Sequence, residues 1–210
     1  MQQHVLISGA SGLIGSALST HLARLGFVVH ALERDNPAAR FNYSSASRQV
    51  ALDHSISLSA VINLAGPSIA DGRWTARRKQ ELLESRVDLT TALATALAAA
   101  PQPPALFLSA SAVGFYGEST LPLNEEAPAG DDYLASLATR WEAATAPARQ
   151  VGIPTAHLRF GVVLSTKGGV LGKLMLPFSL CVGGKLGDGH QPMSWIALPD
   201  VLNLLTRLIE

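Results

Sequence analysis

The stretch that decides the fold is His4-Val-Leu-Ile-Ser-Gly-Ala-Ser-Gly-Leu-Ile-Gly-Ser16. It begins as a short apolar strand and continues, after three spaced glycines, into the start of a helix. Gly9, Gly12 and Gly15 allow a tight turn, a close approach of the backbone to a ligand, and close packing of helix on strand. The free N–H groups and the positive dipole end of such a helix attract phosphate. The segment therefore predicts a strand-turn-helix that holds the pyrophosphate of an NAD-type dinucleotide.

The cofactor contacts predicted from this turn extend into the first turn of the helix. They are Gly9, Ser11, Gly12, Leu13, Ile14 and Gly15. A glycine triplet alone is weak evidence, because many plain turns match it. The strand before it, the helix after it and a second strand ending near Glu33 supply the context that a dinucleotide site requires.

Glu33 and Arg34 follow the second predicted strand and bear on which dinucleotide binds. An acidic side chain at this point accepts hydrogen bonds from the adenosine ribose hydroxyls, which favours NAD(H). An arginine there forms a charge-assisted fork with the 2′-phosphate of NADP(H). Because both side chains are present, the residues alone leave both cofactors open.

Short apolar runs alternate with helical patterns along the first three quarters of the chain, which is typical of a parallel sheet covered by helices on both faces. We predict strands at His4–Ser8, Val28–Leu32, Gln49–Leu52, Ala60–Leu64, Ala105–Ser109 and Thr155–Phe160, and helices at Leu13–Leu25, Ala76–Ala100, Tyr133–Arg149 and Pro199–Ile209. This order predicts an α/β fold with a doubly wound parallel sheet of Rossmann type over residues 1–160, and a ligand crevice at the carboxyl ends of the strands. The glycine-rich residues 161–210 are expected to form a partial substrate pocket on the same domain rather than further sheet.

Composition and charge exclude several functions. Hydrophobic residues make up 48% of the chain and charged residues 15%, and the formal net charge is zero, so we expect no binding to nucleic acid or to acidic membranes. The single cysteine, Cys181, excludes an internal disulfide, and no pair of histidines has metal-ligand spacing, so we expect no metal site. No apolar run reaches the roughly 18 residues of a membrane span, and the N-terminus does not look like a signal peptide. We therefore expect a cytoplasmic protein. A homodimer is compatible with the sequence.

Further motifs lie in order along nearly the whole chain. They include Asn63-Leu-Ala-Gly66, Glu84-Ser-Arg86, Ser109-Ala-Ser-Ala-Val-Gly-Phe-Tyr-Gly117, Trp141-Glu142, Leu158-Arg-Phe-Gly-Val-Val-Leu164 and Ser194-Trp-Ile196. With the Gly-x-x-Gly-x-x-Gly turn, they resemble the extended short-chain dehydrogenases/reductases, in particular the atypical epimerase-like branch of nucleoside-diphosphate-sugar epimerases and SulA homologues. The resemblance implies a Rossmann fold, a nicotinamide cofactor and oxidation-reduction or epimerisation of a small molecule.

The resemblance also implies cofactor contacts beyond the glycine turn. Leu64, Ala65, Gly66, Glu81, Arg86 and Val163 would line the cofactor, Arg34 would take the 2′-phosphate, and Asp53 would accept from the adenine amino group. Members of the branch usually have a small hydroxyl residue before that arginine, where this chain has Glu33. NADP(H) is therefore favoured, with NAD(H) allowed by Glu33. A solvated turn aspartate is an equally good interpretation of Asp53.

The catalytic residues implied by the resemblance are incomplete. Short-chain dehydrogenases use a tyrosine as acid/base, a lysine four residues later and a serine that orients the substrate carbonyl. Ser111 is in the serine position, but four residues after Tyr133 the chain has Leu137, and no other register supplies the lysine. A phenol with no cation beside it is a poor base near neutral pH. We therefore expect one of two functions. Either Tyr116 or Tyr133 acts as the acid/base beside Ser111, or the chain is a cofactor-binding sensor or partner-binding protein without efficient turnover.

The substrate contacts are predicted from the glycine-rich segment that precedes the last helix. Gln191 and Ser194 are the candidates, since nearby glycines let the backbone approach a ligand, and a plain flexible loop is the alternative. Family members extend beyond the helix that ends here at Glu210, so the resemblance implies a truncated substrate region. The substrate itself is an unidentified small molecule.

Overall fold

The computed structural model describes residues 2–185 and 187–210 and is built around a seven-stranded sheet with the strand order β4-β3-β2-β1-β5-β6-β7. All neighbouring strands are parallel except β3 and β4. The strands are β1 (His4–Ser8), β2 (Val28–Arg34), β3 (Asn42–Ser44), β4 (Gln49–Ala51), β5 (Leu58–Asn63), β6 (Leu106–Ala112), β7 (Thr155–Phe160), β8 (Val162–Leu164) and β9 (Trp195–Ala197). The helices are α1 (Leu13–Arg24), α2 (Ala76–Ala98), α3 (Tyr133–Ala143), α4 (Ala146–Gln150), α5 (Gly169–Ser179) and α6 (Leu198–Ile209), with a 3₁₀ turn at Val113–Tyr116. The predicted doubly wound Rossmann fold is confirmed.

Alternate residues of the central strands pack against helices on opposite faces of the sheet. Val5 and Ile7 of β1 point to one face, where α1 and α6 contribute Leu18 and Leu205. Leu6 points to the other face, in the cluster that also holds Leu93, Leu97 and Ala148 of α2 and α4. Because both faces are covered, β1 is an almost uninterrupted apolar run, as expected of a central parallel strand.

Local sequence signals set the ends of the helices. Gly26, with φ +91°, follows α1, and its N–H donates to Ala23 while that of Phe27 donates to Leu22, which is a Schellman motif. The side chains of Thr75 and Asp132 cap α2 and α3 by accepting from backbone N–H groups three residues later. The two caps explain why the predicted starts of α2 and α3 agree with the structure, whereas α6 starts at Leu198, one residue before the predicted Pro199.

Three of the predicted elements differ from the structure. The strand predicted at Gln49–Leu52 is the antiparallel β4, and the third parallel strand is Asn42–Ser44, which was not predicted. The single helix predicted over Tyr133–Arg149 is two helices. Pro147 has no backbone N–H to donate to a carbonyl of α3, so the helix does not continue through it. Residues beyond 160 were expected to lack sheet, yet they contain α5 and the parallel pair β8–β9.

None of the helices in residues 2–185 and 187–210 combines the length and the hydropathy that crossing a bilayer requires.

Candidate functional site

The turn between β1 and α1 is packed so tightly that only glycine fits at two of its positions. Gly9 has φ +71°, and a Cβ on it would lie 2.8 Å from the carbonyl carbon of Leu64. A Cβ on Gly15 would lie 2.1 Å from the carbonyl oxygen of Gly9. Gly12 is the N-cap of α1 and no side chain caps the helix, whose first turn carries no acidic residue. The uncapped N–H groups of α1 are therefore available to an anion.

Leu64, Ala65 and Gly66 follow β5 and form the neighbouring wall of this turn. The N–H of Leu64 donates to the carbonyl of Ser8, which ties the two strand ends together. A Cβ on Gly66 would lie 3.1 Å from the guanidinium carbon of Arg86, so the buried Arg86 packs directly against this backbone. The predicted contacts of the β1 and β5 ends therefore lie side by side.

Arg86 is a buried cation that has no carboxylate partner among the residues that the structure describes. Its guanidinium donates to the backbone carbonyls of Leu82 and Pro67 and lies 5.2 Å from the ring centroid of Trp141. Burial lowers the pKa of Arg86 to about 10, which still leaves it protonated at neutral pH. It therefore supplies a fixed positive charge beside Gly66.

The end of β2 presents Glu33 and Arg34 to solvent. The carboxylate of Glu33 accepts a 2.7 Å hydrogen bond from the side-chain amide of Asn36. Within the described part of the chain, Arg34 forms no ion pair and no side-chain hydrogen bond. Of the two side chains that bear on cofactor choice, Arg34 is thus the one whose hydrogen-bonding groups are uncommitted.

A buried polar network joins the carboxyl ends of the three central strands. The hydroxyl of Ser8 donates to the Asn63 side chain, whose amide donates to Thr90 at 2.8 Å and to Ser109 at 3.3 Å. Trp141 donates its indole N–H to Thr90 at 3.0 Å. Asn63, Thr90 and Ser109 are fully buried, so these bonds replace water and fix the strand ends relative to α2 and α3.

A second polar cluster surrounds the predicted catalytic Ser111. The Ser111 hydroxyl donates to Glu142 at 2.6 Å, and Glu142 accepts a two-pronged ion pair from Arg159 at 2.8 and 2.9 Å. The third guanidinium nitrogen of Arg159 donates to the hydroxyl of Tyr116 at 2.8 Å. Ser111 and Arg159 are register partners on β6 and β7, and the structure thus brings Ser111 and Tyr116 into one cluster.

Glu142 is the centre of this cluster and is ionised. Burial alone raises the pKa of Glu142, but hydrogen bonds from Arg159 and Ser111, with the charge of Arg159, outweigh it and hold the pKa below its usual value. His157 lies 3.8 Å from Glu142, yet burial lowers the pKa of His157 below its usual value. His157 is therefore neutral near pH 7 and accepts or donates only as an uncharged partner of Thr145 at 2.9 Å.

Tyr133 lies apart from the Ser111 cluster in its hydrogen bonding. Its hydroxyl donates to the backbone carbonyl of Lys79 at 2.7 Å, and its ring packs edge-on against Trp74. Burial raises the pKa of Tyr133, and the charge of Arg86 acts in the opposite direction without overcoming it. The phenol proton of Tyr133 is thus held by the start of α2.

The remaining predicted contacts fall in different places. Leu13 packs 3.5 Å or less from the positions that a Cβ on Gly168 or Gly169 would take, and Val163 lies on the adjoining β8, so both border the glycine turn. The exposed Ser194 accepts from the N–H of Val162, and the exposed Gln191 lies beside Gly187. Ile14 packs into the α1–α6 core, and Ser11 is exposed at the turn.

Asp53 and Glu81 are not brought to the glycine turn by contacts of their own. Asp53 follows the antiparallel β4, so the chain has already turned towards the amino end of the sheet, where Asp53 accepts from Ser55 and faces Arg40 at 3.8 Å. Glu81 pairs with Arg77 and Arg78 on the exposed side of α2. Their cofactor contacts stay predictions.

Comparisons with known proteins identify the family. The model of the NAD dependent epimerase/dehydratase family matches residues 5–210. The chain belongs to this family. Human epimerase family protein SDR39U1 is 37% identical over 212 residues, which cover 98% of this chain and 70% of the human protein.

Two solved structures of the family superpose well on this chain. Human SDR39U1, crystallised with NADPH, has a TM-score of 0.84 and 34% identity, covering 99% of this chain and 70% of that one. A nucleoside-diphosphate sugar epimerase from Corynebacterium glutamicum has a TM-score of 0.83 and 38% identity, covering 100% of this chain and 44% of that one. The resemblance stated from the motifs is therefore confirmed.

Sequence reasoning assigned no role to three polar residues of this family member's site. Glu142 and Arg159 appeared only inside quoted motifs, and Thr90 was not singled out. The available signal was the presence of charged or polar residues at positions where a helix or a strand should be apolar. Charged side chains are rarely buried without a partner. A carboxylate on α3 and an arginine on β7, at positions expected to be apolar, therefore indicated an ion pair between them.

Proposed function

We propose that the chain binds NADP(H) across the carboxyl edge of its sheet and uses it for the oxidation-reduction or epimerisation of a small molecule. The observation that carries the proposal is the β1–α1 turn, where side chains are excluded at Gly9 and Gly15 and the helix N–H groups are uncapped. A pyrophosphate satisfies those groups, and its charge matches the helix dipole. NADPH bound to human SDR39U1 supports the same cofactor here.

The orientation of the dinucleotide follows from the strand order. With the pyrophosphate at β1, the adenosine end lies over β2 and Arg34, and the nicotinamide end extends over β5 and β6 towards Ser111. The exposed Arg34, which has no ion-pair partner among the described residues, favours the 2′-phosphate of NADP(H), while Glu33 accepts from Asn36. Arg86 beside Gly66 adds a positive charge on the nicotinamide side. When bound, this cofactor supplies or accepts a hydride.

The test is Arg34→Ala. Loss of a charged hydrogen bond to the 2′-phosphate weakens NADPH binding by about 1.5–3 kcal/mol and leaves NADH binding nearly unchanged. Arg24→Ala is the matched control, because Arg24 is an exposed arginine at the opposite end of α1. Fluorescence titration of both nucleotides gives the affinities. Equal weakening of NADPH and NADH by Arg34→Ala would refute the 2′-phosphate role, and no binding of either by the wild type would refute the proposed function.

A second candidate, a cofactor-binding sensor without turnover, is favoured by one observation. Helix α3 carries no lysine, and the hydroxyl of its Tyr133 donates to the backbone carbonyl of Lys79. The two candidates are separated by mixing protein and NADPH with a panel of carbonyl compounds and following NADPH absorbance. Binding without any substrate-dependent oxidation supports the sensor.

A further inference from the structure

Arg159 is the most firmly positioned cation at the carboxyl edge of the sheet. Two of its nitrogens bind both oxygens of Glu142, and its guanidinium carbon lies 3.5 Å from the ring centroid of Phe115. Its third nitrogen donates to Tyr116 at 2.8 Å and to the backbone carbonyl of Glu125 at 3.2 Å. Contacts with four partners leave this guanidinium a single orientation.

Tyr116 differs from the other candidate acids in how its hydroxyl is used. The Tyr116 oxygen accepts from Arg159, and in the described part of the chain its own proton is donated to no other group. The proton of Ser111 is held by Glu142, and that of Tyr133 is held by the carbonyl of Lys79. Tyr116 is therefore the one of the three whose proton is available to a ligand.

We propose that Tyr116 is the proton donor and acceptor of this site and that Arg159 is its cation, a pair that takes the place of the tyrosine–lysine pair that α3 cannot supply, because α3 has Tyr133 but no lysine. This proposal rests on the proposed NADP(H)-dependent function. Tyr116 ends the 3₁₀ turn directly after β6, on the side of the sheet to which the nicotinamide end extends. Glu142 is a positioning residue, because both of its carboxylate oxygens accept from Arg159 and one also accepts from Ser111.

The proton balance of the proposed step is complete. In reduction, the carbonyl carbon receives a hydride from NADPH and the carbonyl oxygen receives the Tyr116 proton, which yields an alcohol and NADP⁺. The phenolate left on Tyr116 accepts a stronger hydrogen bond from Arg159 than the phenol did, since the negatively charged oxygen is also attracted by the guanidinium charge. The half-buried Tyr116 then regains its proton from solvent. Ser111, whose hydroxyl donates to Glu142, is left to accept from the substrate hydroxyl.

The proposal is tested without a known substrate by labelling tyrosines with benzenesulfonyl fluoride. The phenol oxygen attacks sulfur, fluoride leaves, and the phenol proton passes to buffer, so labelling is fastest where a cation stabilises the developing phenolate. The chain has three tyrosines, and peptide mass spectrometry distinguishes them. We expect Tyr116 to react faster than Tyr43, which is buried, and than Tyr133, whose hydroxyl is hydrogen-bonded to a backbone carbonyl.

Arg159→Lys is the decisive variant. A lysine still neutralises Glu142, but its single ammonium cannot fork the carboxylate and also reach Tyr116. Labelling of Tyr116 should slow by about tenfold, the effect of losing one charged hydrogen bond. Arg149→Lys, an exposed exchange on α4, is the matched control and should leave labelling unchanged. Equal labelling of Tyr116 in wild type and Arg159→Lys overturns the proposal.

A second arm needs no variant, so it holds even if Arg159→Lys folds poorly. Saturating NADP⁺ should protect Tyr116 of the wild type from the reagent while Tyr133 keeps its rate. Unprotected Tyr116, in protein that calorimetry shows to be loaded with NADP⁺, overturns the catalytic role of Tyr116 and leaves the proposed function standing. Absence of any calorimetric signal with either NADPH or NADP⁺ refutes the proposed function instead.

Discussion

Gly15→Ala tests the claim that the cofactor site depends on backbone packing between β1 and α1. The added methyl carbon would lie 2.1 Å from the carbonyl oxygen of Gly9 and 2.9 Å from the Cα of Ala10. Ordinary contact begins near 3.4 Å, and both neighbours are backbone atoms that cannot rotate away. The first turn of α1 must therefore move by roughly 1 Å, at a cost of about 3 kcal/mol, the upper end for overpacking a core. That shift also moves the N–H groups proposed to bind the pyrophosphate.

The expected result is a lower melting temperature together with weaker NADPH binding. For a chain of this size, about 3 kcal/mol corresponds to a fall of roughly 6–12 °C in a thermal scan. Gly26→Ala is the matched control, because Gly26 has φ +91° but nothing within 4 Å of an added Cβ. It should cost only about 1 kcal/mol of backbone strain and leave NADPH affinity unchanged. The reasoning would be refuted if Gly15→Ala bound NADPH with the affinity of the wild type, or if its melting temperature equalled that of Gly26→Ala.

Two further predictions concern stability. Burial lowers the pKa values of His30 and His157, and at His30 the charges of His4 and Arg40 add to the effect. At a pH below 6.5, the ordinary pKa of histidine, the unfolded chain therefore binds more protons than the folded chain. The free energy of unfolding should fall as the pH decreases below 6.5 and through the lowered pKa values of the folded state. Replacing both His30 and His157 by Gln should make the urea-denaturation midpoint depend less on pH over that range. An unchanged pH dependence of the midpoint would contradict this. Asn63→Leu removes the acceptor of the buried Ser8 hydroxyl and the amide that donates to Thr90 and Ser109, and it should cost about 3 kcal/mol by urea denaturation, against almost nothing for the exposed Asn124→Ala; a loss below about 0.5 kcal/mol would contradict that.

The parts of the fold that were predictable from sequence have local causes. The strand, glycine turn and helix of residues 4–24 are specified by neighbours in the chain, and the caps at Thr75 and Asp132 act three residues away. The three-residue β3 has no such signal, because only its pairing with β2 and β4 makes Asn42–Ser44 a strand. A short strand without alternation is set by tertiary contacts.

The candidate site divides in the same way. The glycine turn could be predicted from one segment of the chain. The Ser111 cluster, in contrast, joins Glu142 to Ser111, which is 31 positions away in the sequence, and to Arg159, which is 17 positions away. Ser111 and Arg159 become neighbours only when β6 pairs with β7, which no local pattern predicts in register. The sequence therefore indicated Ser111 and Tyr116 as candidates but gave no means of choosing between Tyr116 and Tyr133.

The buried charges are best explained by binding rather than by stability. Removing a cation from water is costly, and Arg86 recovers hydrogen bonds to two backbone carbonyls and a contact with the Trp141 ring but no carboxylate among the described residues, so an apolar side chain of similar size would serve the fold at least as well. The buried Glu142 is paired with the partly buried Arg159, which offsets more of that cost, but the pair also fixes Ser111 and Tyr116. Arg86 lies next to Gly66, which follows β5, and the Glu142–Arg159 pair contacts Ser111 and Tyr116 at the end of β6, so these charges lie at the carboxyl edge of the sheet. A polar ligand at that edge gives the charges a function that folding alone does not.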